Sequence, residues 1–238
     1  MAQNITPESL ISILAAALAQ KPTKPLVLAL DGRCGSGKTT LADRLTRQFP
    51  ASIVLHTDDF YLPPAQRVRG WEKTPCANMD LIRLRGEALR PAYEGQPLLY
   101  RAYSCRAGAY QPVQELAVQP LVILEGSYSH HPLLAGYETL QVFVTCSREE
   151  QTRRLQAREG ERYANFAARW IPLEEGYFAQ YHIAETADFV RSCTRQALER
   201  CRVEAGALKT NVCGRDRVEH VGRRKVNAEH TRCDKQTI

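Results

Sequence analysis

The amino-acid sequence predicts an α/β fold, a doubly wound parallel sheet with helices on both faces. Three observations carry that expectation. Short apolar runs at 26–30, 121–124 and 140–146 show no alternation and read as strands buried on both sides. Helical stretches separate them, so strand and helix alternate along the chain. Between the first run and the helix after it stands Gly32-Arg33-Cys34-Gly35-Ser36-Gly37-Lys38-Thr39, which fits G-x-x-x-x-G-K-[ST] in a strand, loop, helix setting.

The elements follow in order. Thr6-Pro7-Glu8 offers an N-cap, a proline at the first helical position and an acid in the first turn. Leu10, Ile11, Leu14 and Leu18 then form the apolar stripe of a helix that ends before Lys21-Pro22. After the glycine-rich loop, Thr40 to Phe49 is helical in composition, with Leu41 and Leu45 on one face. Residues 52–57 form a second strand, delivering Asp58-Asp59-Phe60-Tyr61; Pro63-Pro64 stops it, and a polar loop with Arg67, Arg69, Trp71 and Lys73 follows.

Asn78-Met79-Asp80 caps a helix that runs to about Tyr93, and the turn-rich stretch 95–114 holds Tyr100, Tyr103, Arg106 and Tyr110. The strand at 121–124 delivers Glu125-Gly126. Ser147-Arg148-Glu149-Glu150 has capping-box spacing and opens a helix bearing Arg153, Arg154 and Arg158. Trp170-Ile171-Pro172 begins another helix, and 187–190 reads as the last strand. A helix from Ser192, with Leu198, Cys201, Ala205 and Leu208 on one face, completes a domain of residues 1–208. Residues 209–238 carry 8 basic and 4 acidic side chains and almost no bulky apolar ones, so a disordered basic tail is expected.

Charge and cysteine usage narrow the function classes. The net charge of +6 arises wholly after residue 190: residues 1–190 hold 20 basic and 20 acidic groups, and 191–238 hold 12 and 6. A neutral body argues against a nucleic-acid-binding domain, and charge runs in tails are usually solvated. No apolar run reaches 18 residues, and the eight cysteines form no C-x-x-C pair. Free thiols in a cytoplasmic protein, without a membrane partner, are the expectation.

The loop carries the chemistry. Glycines at 32, 35 and 37 let successive N–H groups form an anion nest at a helix N-terminus, where Gly32, Arg33, Cys34, Gly35, Ser36, Gly37, Lys38, Thr39 and Thr40 would surround the phosphates of ATP. Lys38 can reach the β- and γ-phosphates, and Thr39 can ligate Mg²⁺. Asp58 and Glu125 end strands on the loop's side of the sheet. Successive residues leaving a strand point to opposite sides, so only one of Asp58 and Asp59 is expected to face the γ-phosphate.

The ordered set of phosphate loop, Asp58-x-Phe60-Tyr61, Asn78-x-Asp80, Glu125-Gly126 and arginine helix resembles the phosphoribulokinase/uridine kinase family of P-loop kinases, over about residues 26–190. That resemblance implies the P-loop NTPase fold of nucleoside and nucleotide kinases. It makes Asp58 the base for the acceptor hydroxyl, Glu125 a partner of Thr39 at Mg²⁺, and Asp80 a ligand of the acceptor's sugar. Arg154 and Arg158, on one helix face, resemble the lid arginines that close over ATP; Arg162 and Arg169 are weaker candidates. Tyr100, Tyr103 and Arg106 fall in the acceptor region, and Tyr100, Tyr103 or Trp170 could stack on a base or pack internally.

There the pattern departs from the family: Tyr100-Arg101-Ala102-Tyr103-Ser104-Cys105-Arg106 lacks the Asp and His that uridine kinases carry. His130 and His131 follow Glu125 and read as surface residues or acceptor contacts. The expected activity is an ATP-dependent phosphotransferase with an alcohol acceptor, first a ribonucleoside. Pantothenate, glycerate, a sugar phosphate, or a nucleotide-dependent switch are the alternatives. The expected partner is a small nucleoside-like molecule, with nucleic acid disfavoured and self-association left open.

Overall fold

The structure is a computed structural model and describes residues 2–193. The helix expected toward Leu208 and the basic tail therefore lie outside the described residues. Six parallel strands form the central sheet: β1 (Gln3–Asn4), β2 (Leu26–Gly32), β3 (Ser52–His56), β4 (Leu121–Glu125), β5 (Leu140–Thr145) and β6 (Phe189–Ser192). Their spatial order is β1-β6-β5-β2-β4-β3. β2, which feeds the phosphate loop, lies at the centre between β4 and β5, where ligands of doubly wound sheets bind beyond the carboxyl ends.

Every residue of β2 and β4 is buried, as unbroken apolar runs require of strands covered on both faces. Strand alternation divides the core. Leu28 and Leu30 of β2, Ile123 of β4 and Val142 and Val144 of β5 pack against Leu10 and Leu14 of α1 (Pro7–Ala19) and Leu41 and Leu45 of α2 (Lys38–Gln48). Val27, Val122, Leu124 and Phe143 face the other way, onto Leu84, Leu89 and Tyr177. A third cluster, with Cys34, Trp71, Leu155, Phe166, Trp170 and Leu173, joins the phosphate loop to α3 (Arg148–Glu159) and α4 (Ile171–Tyr181).

Local signals act as read at several ends. Thr6 accepts from the Ser9 N–H, Asp80 from the Arg83 N–H and Ser147 from the Glu150 N–H. The capping box at Ser147 is not reciprocal in the way its spacing suggests, because the Glu150 carboxylate turns to Arg153 and Arg154. Two arginines one turn along compete better for an anion than one backbone N–H does. Residues 81–94 are helical as expected but contain a π turn over Leu84–Leu89. The stretch 98–116 folds into two small antiparallel pairs, Leu98–Tyr100 with Gln114–Leu116 and Tyr103–Ser104 with Ala109–Tyr110. No helix among the described residues is long and apolar enough to cross a membrane.

Candidate active site

The site begins with the loop between β2 and α2. Gly32, at φ 133°, is demanded by the neighbouring strand: a Cβ there would lie 1.9 Å from the Val144 carbonyl oxygen. Its need for glycine therefore comes from the sheet as well as from any phosphate. Gly37, at φ 100°, is the N-cap of α2, so the amides of its first turn open toward the loop. Lys38 is buried, and its Nζ donates to the Gly32 carbonyl at 2.6 Å and the Arg33 carbonyl at 3.2 Å. Thr40 is exposed on the outer side of the first turn.

Side chains from α3 and α4 hold the loop from outside. Glu174, almost fully buried, accepts the Cys34 N–H at 3.0 Å and the Ser127 hydroxyl at 2.6 Å. Glu175 binds Arg33 through both oxygens, at 2.6 and 3.1 Å, and Gln151 donates to the Cys34 carbonyl at 3.1 Å. Arg154 donates from Nη1 to the Gly35 carbonyl at 3.0 Å while its Nε pairs with Glu150 at 2.6 Å. The head of Arg158 goes elsewhere, to Glu159 at 2.7 Å and over the Phe166 ring at 5.5 Å. Four residues apart, the two arginines share a helix face but not a destination.

Beneath the loop, Thr39 donates to Glu125 Oε1 at 3.1 Å, and His56 Nδ1 lies 2.9 Å from Glu125 Oε2. His56 and Glu125 are register partners at the ends of β3 and β4, which is why they meet. Burial raises the Glu125 pKa, but His56, Lys38 and Thr39 outweigh it and hold the carboxyl below its ordinary range. Burial works against a charged His56, and Glu125, with Asp59 and Asp58 beyond it, nevertheless lifts the imidazole above its ordinary value. A threonine hydroxyl and a carboxylate brought together beside a phosphate loop make a hard, all-oxygen donor pair that fits Mg²⁺, which takes few protein ligands and completes its shell with phosphate and water.

The two aspartates correct the argument made from strand alternation. β3 ends at His56, and Asp58 and Asp59 lie in a 3₁₀ turn, Thr57–Phe60, so the period-2 rule no longer applies to them. The turn is seated against Gly126, where a Cβ would strike Thr57 Oγ1 at 2.0 Å. Asp59 accepts from the Tyr100 hydroxyl at 3.1 Å. Asp58 is half-buried, two residues beyond His56.

Further out, Asp80 caps its helix and Phe60 stacks on Tyr100 at 5.2 Å. Tyr103 is buried edge-on to Tyr110, and Trp170 packs on Trp71 and Tyr61. These rings are internal. Arg106 sits exposed in the turn of its small hairpin. His130 and His131 are buried instead of superficial: the His130 ring meets the Ala29 carbonyl at 3.1 Å, and His131 stacks on Tyr177. Both stand in a loop folded around Asp31, a buried carboxylate that accepts the Tyr128 and His130 N–H groups and the Tyr177 hydroxyl.

His56, Asp31, Glu174 and Glu175 were thus not selected from sequence. For His56 a signal existed, since it ends the strand just before D-x-F-Y. Glu174 also left a trace, an acid within the apolar Ile171-Pro172-Leu173 and Tyr177-Phe178 surroundings.

No protein-family model matches the chain. Among solved structures, the chain is similar to a possible uridine kinase from Bacillus stearothermophilus, with TM-score 0.59 and 21% identity over 76% of this chain and 96% of that one. It is also similar to a candidate fructose transport system kinase from Silicibacter sp. TM1040, with TM-score 0.58 and 17% identity over 80% and 100%. A D-glycerate 3-kinase from Cryptococcus neoformans var. grubii gives TM-score 0.51 and 16% identity over 78% and 93%. The chain therefore shares the fold of P-loop kinases.

Proposed function

We propose that the protein is an ATP- and Mg²⁺-dependent small-molecule kinase of the phosphoribulokinase/uridine kinase family, acting on a hydroxyl, with a ribonucleoside of the uridine or cytidine type as first acceptor. The observation that carries this reading is the convergence at the carboxyl ends of β2, β3 and β4: the phosphate loop, the Thr39–Glu125 contact and the Asp58 turn adjoin one another. The kinases with this fold are named for chemically different compounds, which supports a hydroxyl acceptor more strongly than any one molecule.

In this reading the loop amides and Lys38 receive the β- and γ-phosphates, Lys38 exchanging its loop carbonyls for phosphate oxygens. Thr39 and Glu125 would hold Mg²⁺, which supplies neutralisation of phosphate charge. The acceptor oxygen forms a bond to the γ-phosphorus as the bond to the β–γ bridging oxygen breaks, and the acceptor's proton passes to Asp58. Arg154, already on the Gly35 carbonyl, lies where it can follow the charge of the transferring group.

The absence of an Asp and a His from 100–106 favours keeping a second acceptor class, small alcohols such as glycerate or pantothenate. An ADP-release screen with Mg·ATP over nucleosides and small alcohols tests the function. ADP formation that is negligible alone and rises with one acceptor is the expected result. Steady hydrolysis indifferent to every acceptor would instead identify a switch or ATPase.

A further inference from the structure

The Glu125 carboxylate is held by two donors that reach it from opposite sides. Oε1 accepts the Thr39 hydroxyl at 3.1 Å, and Oε2 lies 2.9 Å from His56 Nδ1. Thr39 stands in the helix that follows β2, His56 ends β3, and β4, which carries Glu125, lies between those two strands. A carboxylate only accepts, so Nδ1 carries the proton of the second contact, and a neutral or a charged imidazole can supply it.

The sheet fixes this arrangement. His56 and Glu125 are register partners, so their side chains leave the same face of the sheet one strand apart. Directly beyond them, Thr57 Oγ1 donates to the Ser127 carbonyl at 3.0 Å and fills the space where a Gly126 Cβ would stand. The two strand ends are thereby locked together next to the pair. With its side chain only 9% exposed, Glu125 takes its rotation from these protein donors more than from water.

That rotation bears on which ion suits the carboxylate. Mg²⁺ demands single oxygens in a tight octahedron, whereas the larger Ca²⁺ accepts both oxygens of one carboxylate. Both oxygens of Glu125 can face one ion only if the group turns away from His56. While the imidazole draws Oε2 toward β3, Oε1 alone is offered on the Thr39 side.

Resting on the kinase reading, we propose that His56 is a positioning residue that makes Glu125 a one-oxygen ligand, so that the site takes Mg²⁺ in preference to Ca²⁺. His56 acts through Glu125 and touches neither the acceptor nor the phosphates in this role.

Calorimetric titration of the full chain with a non-hydrolysable ATP analogue, saturated with either Mg²⁺ or Ca²⁺, reads this without turnover. The wild type is expected to bind the Mg²⁺ complex at least about tenfold more tightly than the Ca²⁺ complex. His56→Phe keeps a ring but lacks the N–H; it should weaken the Mg²⁺ complex by about 10- to 100-fold and bring the two affinities within about threefold of each other. His56→Asn, whose amide nitrogen stands one bond beyond Cγ as Nδ1 does, should keep the affinity ratio within about threefold of the wild type. If His56→Phe does not fold, His56→Leu also lacks the donor and should lose the ratio likewise.

A residue that served stability alone would lower the melting temperature and both affinities together and leave their ratio unmoved. Such an unmoved ratio, equal affinities in the wild type, or a loss in His56→Asn as large as in His56→Phe would overturn the assignment, while the nucleotide binding seen in the same titrations leaves the kinase reading standing. An analogue that binds with neither ion would remove both.

Discussion

The two ends of the candidate site are held in different ways. The phosphate loop is fixed by backbone geometry and by a frame of buried or half-buried side chains from α3 and α4: Glu174 on Cys34, Glu175 on Arg33, Arg154 on Gly35. The region proposed to face the acceptor rests on two small antiparallel pairs, a π-distorted helix and internal aromatic stacks. The first arrangement suits the phosphates of the proposed nucleotide, which are met by backbone groups and one lysine. The second leaves recognition to individual side chains, and there the sequence departs from the uridine kinase pattern.

The strongest way to break this contrast is at the loop. Lys38→Ala is expected to abolish phosphoryl transfer in a folded protein, measured as single-turnover ADP formation beside an unchanged circular dichroism spectrum. Turnover at the wild-type rate would show that the loop does not handle the transferred phosphate.

Next comes the turn between the two ends. Asp58→Asn should lower kcat by about 10²–10⁴ with nucleotide affinity nearly unchanged, while Asp59→Asn costs much less because its carboxylate serves Tyr100. Nucleotide titration with single-turnover kinetics decides it, and a severe loss confined to Asp59→Asn would reverse the assignment.

The arginines sharpen the comparison within one helix. Arg154→Ala should cost kcat about 10³-fold or more, whereas Arg158→Ala, whose head lies on Glu159 and Phe166, should cost less than about tenfold. Equal losses would mean that Arg158 swings to the loop when nucleotide binds.

The frame behind the loop is open to a stability test. Glu174→Ala leaves the Cys34 N–H and the Ser127 hydroxyl without this partner, a loss of about 2–4 kcal/mol. For a domain of this size that lowers the melting temperature by roughly 5–15 °C. An unmoved melting curve would show that the loop needs no such frame.

The smallest effect is in pH. His56 has a raised folded pKa, so its stabilisation is present below the unfolded value of about 6.5 and is lost as pH rises through the higher folded value. Glu125 has a lowered folded pKa, so its contribution is present above about 4.5 and is lost as pH falls through the lower folded value. The pair is complete between these limits. Melting temperature should fall from about pH 6.5 to pH 9 more steeply in the wild type than in His56→Gln, by about 2–4 °C; parallel curves would show that the pair adds nothing.

The sequence by itself determined the sheet and the loop, because both depend on local chemistry. Unbroken apolar runs in β2 and β4 admit little but a strand covered on both faces, and the glycine and lysine spacing of 32–39 marks a tight loop between a strand and a helix. Caps at Thr6, Asp80 and Ser147 were equally legible, since an N-cap is a contact across three residues. Only the tertiary structure decided the rest. Glu174 and Cys34 are 140 residues apart, Glu175 and Arg33 142, and Arg154 and Gly35 119, and no periodicity announces these contacts. Strand alternation failed at Asp58 and Asp59 because the chain leaves the extended state at His56, where seating of Thr57 against Gly126 favours a tight turn over another pleat. Arg158 stands out by its i, i+4 spacing from Arg154 and Arg106 by its place in the stretch 100–106, whereas no local pattern marks Arg83. Where a long side chain ends is set by the rings and carboxylates that the fold brings within its reach.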